Sequence, residues 1–271
     1  MSIKINGLFN DPDYSVKDSK GIFTVVEYVQ DLTVSPDTAM REYFMSKMGV
    51  RRKQVVCQLD GRVGVTMQAG AMQWMAGDVH ATTGIKGAGD LLGKLVKSAV
   101  TDESAIKPEY KGRGVVCLEP TYKFILLEQV EDWANGLVVQ DGMYLASENT
   151  VRLSVQSRKS LSSAVAGNEG LFNLKLKGAG TVVLESNVIR EQLIEVELED
   201  DVLKIDGNQA ICWSGSLDFT VERSGKSLLG SAVSGEGLVN VYRGTGKVLL
   251  SPLDDSSSLY TATHTKNVKN E

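Results

Sequence analysis

KGRGVVCL (residues 111–118), KGAGTVVL (177–184) and RGTGKVLL (243–250) decide how this chain reads. Each stretch follows the last by 66 positions and repeats one pattern: a basic residue, Gly-x-Gly, then Val-x-Leu. Gly112/Gly114, Gly178/Gly180 and Gly244/Gly246 are the glycine pairs, followed by Val116/Leu118, Val182/Leu184 and Val248/Leu250. Tyr110, Leu176 and Tyr242 stand two residues before the first glycine, and Ile106, Phe172 and Leu238 stand six before it. A fixed spacing of this length marks internal repetition, in which each unit is too small to close a core alone and packs on its neighbour.

Further upstream the likeness continues. QDGMYLASENTVRLSV from Gln140 matches IDGNQAICWSGSLDFTV from Ile205, and QAGAMQWMAGDVHATTG from Gln68 holds the same place in the first copy. The divisions expected are an N-terminal strand and capping helix at 1–49, β repeats at 50–120, 121–187 and 188–253, and a polar tail at 254–271. Apolar residues alternate with a period of two, so each repeat reads as strands with one buried face, separated by glycine turns. The fold class expected is all-β, with three repeats of about 66 residues forming sandwich or double-stranded β-helix-like units and one short N-terminal helix. At least one glycine of each pair is expected at positive φ.

Two segments leave the β pattern. Ser35-Pro36 followed by DTAMREYFMSKM and Gly49 reads as a helix with Ser35 as N-cap, Pro36 at the first position and glycine past the end. Its stripe of Met40, Phe44 and Met48, with Tyr43 beside it, is expected to cover an open sheet face or edge of the first repeat, or else a second copy of the chain. Asp90 and LLGKLVKSAV behind it form a second helical pattern. GIFTVVEYV, from Gly21, reads as a strand.

The chain has 271 residues, a net charge of -5 and 27 glycines but only 5 prolines, which marks turns rather than a disordered Pro/Gly segment. The acidity argues against nucleic acid as a partner. Cys57, Cys117 and Cys212 lie in apolar runs with no CxxC pair, so they read as core residues of a cytoplasmic protein. No stretch reaches the ~18 apolar residues of a membrane-spanning helix.

Chemistry is sparse. The glycine pairs run into strands rather than opening a helix, so they are not a dinucleotide fingerprint. Gly225-Lys226-Ser227 lacks the earlier glycine of a phosphate loop, Thr220 standing there instead. Only His80 and His264 exist, which leaves no relay or histidine metal site to assemble. His80 beside Asp78 reads as a strand-end surface residue, Trp74-Met75 as core, and Glu195, Glu197, Glu199, Asp200 and Asp201 as a solvated edge. The one candidate binding patch is Lys111, Lys177 and Arg243, equivalent positions that a pseudo-symmetric fold would relate to one another. No catalytic residue, cofactor or metal is expected.

The glycine-rich GIKGAGDLLGKLVK (84–97), GEGLVNVYRGTGKVLL (235–250) and the turns opening each copy resemble the mitochondrial-biogenesis family named for altered inheritance of mitochondria, over about 50–253. That resemblance implies an all-β fold similar to the tryptophan RNA-binding attenuator proteins, and no enzymatic activity. The reading is then a non-enzymatic β-repeat scaffold or assembly factor acting through protein surfaces, homo-oligomeric through leftover sheet surface. The alternative is a binding module for a small ligand or RNA.

Overall fold

The computed structural model describes residues 3–82, 107–157, 159–160, 172–223 and 238–253. The second helical pattern from Asp90, the 84–97 run, Gly225–Ser227, His264 and the tail from Asp254 lie outside them. In chain order the strands are β1 (Tyr14–Lys20), β2 (Phe23–Tyr28), β3 (Lys53–Asp60), β4 (Val65–Met67), β5 (Met72–Thr82), β6 (Glu109–Leu118), β7 (Phe124–Gln129), β8 (Leu137–Val139) and β9 (Tyr144–Glu148). They continue with β10 (Arg152–Ser157), β11 (Lys159–Ser160), β12 (Phe172–Lys177), β13 (Thr181–Ser186), β14 (Ile194–Asp206), β15 (Ala210–Ser214), β16 (Asp218–Arg223) and β17 (Leu238–Leu250). One α-helix, α1 (Ala39–Lys47), sits between β2 and β3.

The protein is thus mostly β, and its strands form two curled sheets. The first runs β1-β2-β3-β6-β4-β9-β13-β7, with β5 on β6; the second runs β10-β12-β8-β15-β17-β16-β11, with β14 on β17. One core lies inside the curl of the first sheet (Phe23, Val55, Met67, Val116, Leu118). A second lies between the sheets (Trp133, Leu137, Leu176, Val182, Leu184, Leu249). A third lies in the curl of the second sheet (Trp213, Phe219, Tyr242, Val248).

The alternation of the Val-x-Leu strands is real, but both of their faces are buried. Val116, Val182 and Val248 enter the first, second and third cores, while Val183 turns to the first core and Leu249 to the second. Cys117 faces a fourth, smaller cluster with Leu8, Val26 and Val56, against which Ile5, Tyr14 and Trp74 pack. Period-two alternation records which side chain goes to which face, not whether a face is wet, and a strand sandwiched between two cores is apolar on both. Tyr110, Leu176 and Tyr242 are all buried, and so are the three free thiols. Burial pushes the Cys117 thiol up to about 12, and those of Cys57 and Cys212 well above the ordinary range.

The first glycine of each pair has φ of +126°, +114° and +113° at Gly112, Gly178 and Gly244. Gly180 and Gly246 are also positive, at +143° and +155°. This is the conformation expected of glycine where strands bend sharply. In β6 and β17 the pair lies inside one continuous strand; in the middle copy it separates β12 from β13.

At the N-terminus, β2 forms where GIFTVVEYV reads as a strand, and it extends the first sheet beyond β3. Regular helix begins at Ala39 rather than Pro36. The turn leading in is still closed by Ser35, whose Oγ accepts the Thr38 N–H at 3.3 Å while Thr38 Oγ1 accepts the Ser35 N–H at 3.1 Å. At the far end Gly49, at φ +80°, ends the helix, with Val50 N–H reaching Met45 O and Gly49 N–H reaching Ser46 O.

The orientation of α1 departs from the expectation. Its apolar stripe covers nothing among the described residues: Met40 is 74% exposed and Met48 81%, with Tyr43 and Phe44 exposed between them. The polar side turns inward instead. Glu42 faces Arg52 at 3.7 Å, and Arg52 also holds Asp31 at 3.1 Å and donates to Tyr122 Oη at 2.9 Å and Thr33 Oγ1 at 3.1 Å. A partly buried guanidinium with four partners anchors the helix by its charged face, which leaves the stripe to solvent.

Candidate functional site

The candidate residues follow from the strand registers. Lys111 lies in β6 opposite His80 of β5, exposed and paired with Glu109 at 2.9 Å. His80 in turn meets Asp78 at 2.9 Å on the surface, as its sequence context suggests. Arg243 lies in β17 opposite Asp218. Its guanidinium grips Glu222 with a two-pronged bridge, Nη1–Oε1 2.7 Å and Nη2–Oε2 2.9 Å, and donates to Thr220 Oγ1 at 3.1 Å. Two aligned N–H donors and the Thr220 hydroxyl hold the Glu222 carboxyl down at about 2.

Lys177 has a different setting. It closes β12 opposite Arg152, and Lys175 two residues earlier projects from the same face. Like charges directly opposite repel, so this corner of the second sheet concentrates positive charge. Lys175 is pulled below the ordinary lysine range, first by burial and then by Lys177, and its Nζ donates to Gly215 O at 3.0 Å.

The three basic residues therefore sit at equivalent places in the sequence pattern but in three environments. Lys111 is on the first sheet; Lys177 and Arg243 are on the second, with β8 and β15 between their strands. Two of them are engaged with neighbouring carboxylates, and Lys177 gathers with Arg152 and Lys175 instead. The sequence carried that cluster in the Lys-Leu-Lys spacing of 175–177, which puts two lysines on one strand face.

The Glu222–Arg243 bridge predicts an acid dependence. A carboxyl depressed in the folded state contributes stability that is present above its unfolded value of about 4.5 and is lost as pH falls through the folded value near 2. Melting temperatures of the parent and Glu222→Gln should differ at pH 6 and converge toward pH 2. Curves that stay parallel through that range would show the bridge adds nothing.

The remaining surface chemistry matches the reading of the residues in most places. Glu195, Glu197, Glu199, Asp200 and Asp201 are exposed on β14, an edge strand with a bulge between Leu198 and Asp201 where Asp200 takes φ +53°. Charge and a bulge together blunt an edge against unwanted pairing. Trp74 packs on the fourth cluster, but Met75 is exposed, so that pair is only half core. Among the described residues no group of His, Cys, Asp and Glu stands ready for a metal ion, and no helix is long and apolar enough to cross a membrane.

Comparison with known proteins places this fold. An uncharacterized protein of Streptococcus pyogenes serotype M6 is 26% identical over 198 residues, covering 70% of this chain and 77% of its own. The X-ray crystal structure of a Streptococcus pyogenes protein, SPYM3_0169, superposes with a TM-score of 0.56 at 24% identity, covering 76% of this chain and 89% of that one. Residues 46–253 match the family described as Mitochondrial biogenesis AIM24, and the chain belongs to that family.

Proposed function

We propose that this protein is a non-enzymatic β scaffold or assembly factor of three repeated units, of the double-layered kind that the attenuator resemblance implies, working through protein–protein contact. The observation that carries the reading is the outward face of α1. Leu32 and Val34 of the preceding loop are exposed as well, like Met40, Tyr43, Phe44 and Met48. Arg41 and Lys47 are the charged residues exposed on that helix, since Glu42 is turned to Arg52. A patch of Met and aromatic side chains rimmed by positive charge is the composition of a binding surface rather than of solvated helix. Its complement is a protein segment that is apolar and acidic. Three buried free thiols support a reducing, cytoplasmic setting.

A photo-crosslinking residue at Met40 identifies the partner, and the purified partner then allows affinity to be measured. Phe44→Glu should weaken binding by at least about tenfold, as truncation of a central aromatic does. Arg41→Glu with Lys47→Glu should remove the salt dependence. A partner bound equally by the Phe44→Glu variant overturns the reading.

Arg152, Lys175 and Lys177 support a second reading, a site for an anionic ligand or RNA. Their convergence predicts a salt-dependent interaction with polyanions that Lys177→Glu abolishes, detectable as an altered absorbance ratio of the purified protein.

A further inference from the structure

This inference rests on the three-unit reading, and it concerns what ends the stack. With the units aligned on their glycine pairs, Cys117, Val183 and Leu249 share one position. The residues opposite them, Trp74, Ala146 and Cys212, share another. Val183 and Ala146 are covered by the first core, and Leu249 and Cys212 by the second, in each case the core of the preceding unit. Cys117 and Trp74 have no preceding unit. Ile5, Leu8 and Tyr14 cover them instead.

The strand edges follow the same rule. Unit one joins unit two through β4 and β9, with Thr66 opposite Ser147; unit two joins unit three through β8 and β15, with Val138 opposite Trp213. Among the described residues the two edges that would make a third such junction are both open: β5 pairs only with β6, and β14 only with β17. Continuing the register sets Lys204 of β14 opposite Met75 of β5. Met75 is 44% exposed, whereas its counterparts Ser147 and Trp213 are 0% and 2% exposed.

We infer that the outer face of the first unit is a docking face for the third unit of a second copy of this chain, and that residues 3–13 are a stopper laid over it. The two edges are complementary because the chain itself makes the same junction twice. A repeat stack needs such a cap to remain finite, since a head-to-tail contact that does not close propagates. The stopper lies before residue 46, where the family match begins.

The test removes residues 1–13 and follows mass by sedimentation velocity. The truncated chain should form concentration-dependent species, with weight-average mass rising at least about twofold over the full chain. Cys117 should become reactive to a thiol reagent at dilutions where the truncated chain is monomeric, because its cover has gone, and lose that reactivity as assembly covers it again. In the truncated chain Met75→Lys should abolish assembly by opposing Lys204, and adding Lys204→Glu should restore it. Met75 and Lys204 are both exposed, so these changes leave the fold intact. If the truncation fails to fold, Leu8→Asp in the full chain loosens the stopper and should give the same assembly. A folded truncated chain that gains no mass overturns the stopper, and assembly indifferent to Met75→Lys overturns the junction. The face of α1 takes no part in either outcome, so failure here is separable from failure of the partner reading.

Discussion

Replacing Gly112 by alanine is expected to destabilise the protein by ~3 kcal/mol or more, the steepest loss among the three equivalent glycines. Two effects combine there. The φ of +126° lies outside the regions open to a residue with a β-carbon. A β-carbon would also run into the carbonyl oxygen of Asp78 and stand 3.1 Å from the Cα of Val79. Those are backbone atoms of β5, held in register against β6, so they cannot swing aside as a side-chain tip would. The equivalents separate the two effects. Gly178 and Gly244 have nearly the same φ, but their nearest carbonyl oxygens, of Thr150 and Ser216, would lie 2.7 and 4.0 Å away. Alanine at Gly244 should therefore cost about 1–2 kcal/mol from conformation alone, and alanine at Gly178 an intermediate amount. Urea unfolding of the three variants measures the series, and equal losses at all three would show that the close approach contributes nothing.

That series was partly legible in the sequence. The spacing of the glycine pairs pointed to positive φ and to β units, because a glycine repeated in register before a Val-x-Leu run serves backbone geometry. How closely each glycine approaches its neighbour was not legible, since it depends on how far β5, β10 and β16 curl against β6, β12 and β17. The double burial of Val183 and Leu249 was hidden for a similar reason. A strand facing one core on each side reads as continuous apolar sequence, and only the packing of the two sheets shows where the second core comes from.

The helix shows the opposite limit. Ser35, Pro36 and Gly49 marked both of its ends, because capping chemistry is local. Its orientation was not local. Nothing in the 35–49 segment reveals that Arg52, beyond its end, would draw Glu42 inward and leave Met40, Phe44 and Met48 outside. Amphipathic spacing identifies a stripe but not its partner, and here the stripe faces away from the fold. The basic residues show the same limit: equivalence along the chain put Lys111, Lys177 and Arg243 at matching strand positions, while packing gave them Glu109, Arg152 and Glu222 as neighbours.

Trp213→Ala is the second large expected loss, ~3–5 kcal/mol, within the range for removing a buried aromatic from a packed core. Trp213 lies 5.3 Å from the ring of Phe219 and 5.2 Å from that of Tyr242, and those two rings are 5.0 Å apart. Removing the indole therefore opens a cavity and breaks two aromatic contacts at once, which act beyond the area they bury. Its backbone adds a further role. Trp213 is paired with Val248 on one side and with Val138 on the other, so it stands where β17 and β8 are joined through β15. Trp213→Phe keeps a ring against Phe219 and Tyr242 and should lose markedly less. Trp74→Ala, at a half-exposed position of β5, should cost the least, ~1–2 kcal/mol, because its site is only partly withdrawn from water. Denaturant midpoints of the three variants decide the matter. If Trp213→Ala loses no more than Trp74→Ala, the third core contributes little to holding the second sheet together, and the junction through β15 rests on backbone pairing alone.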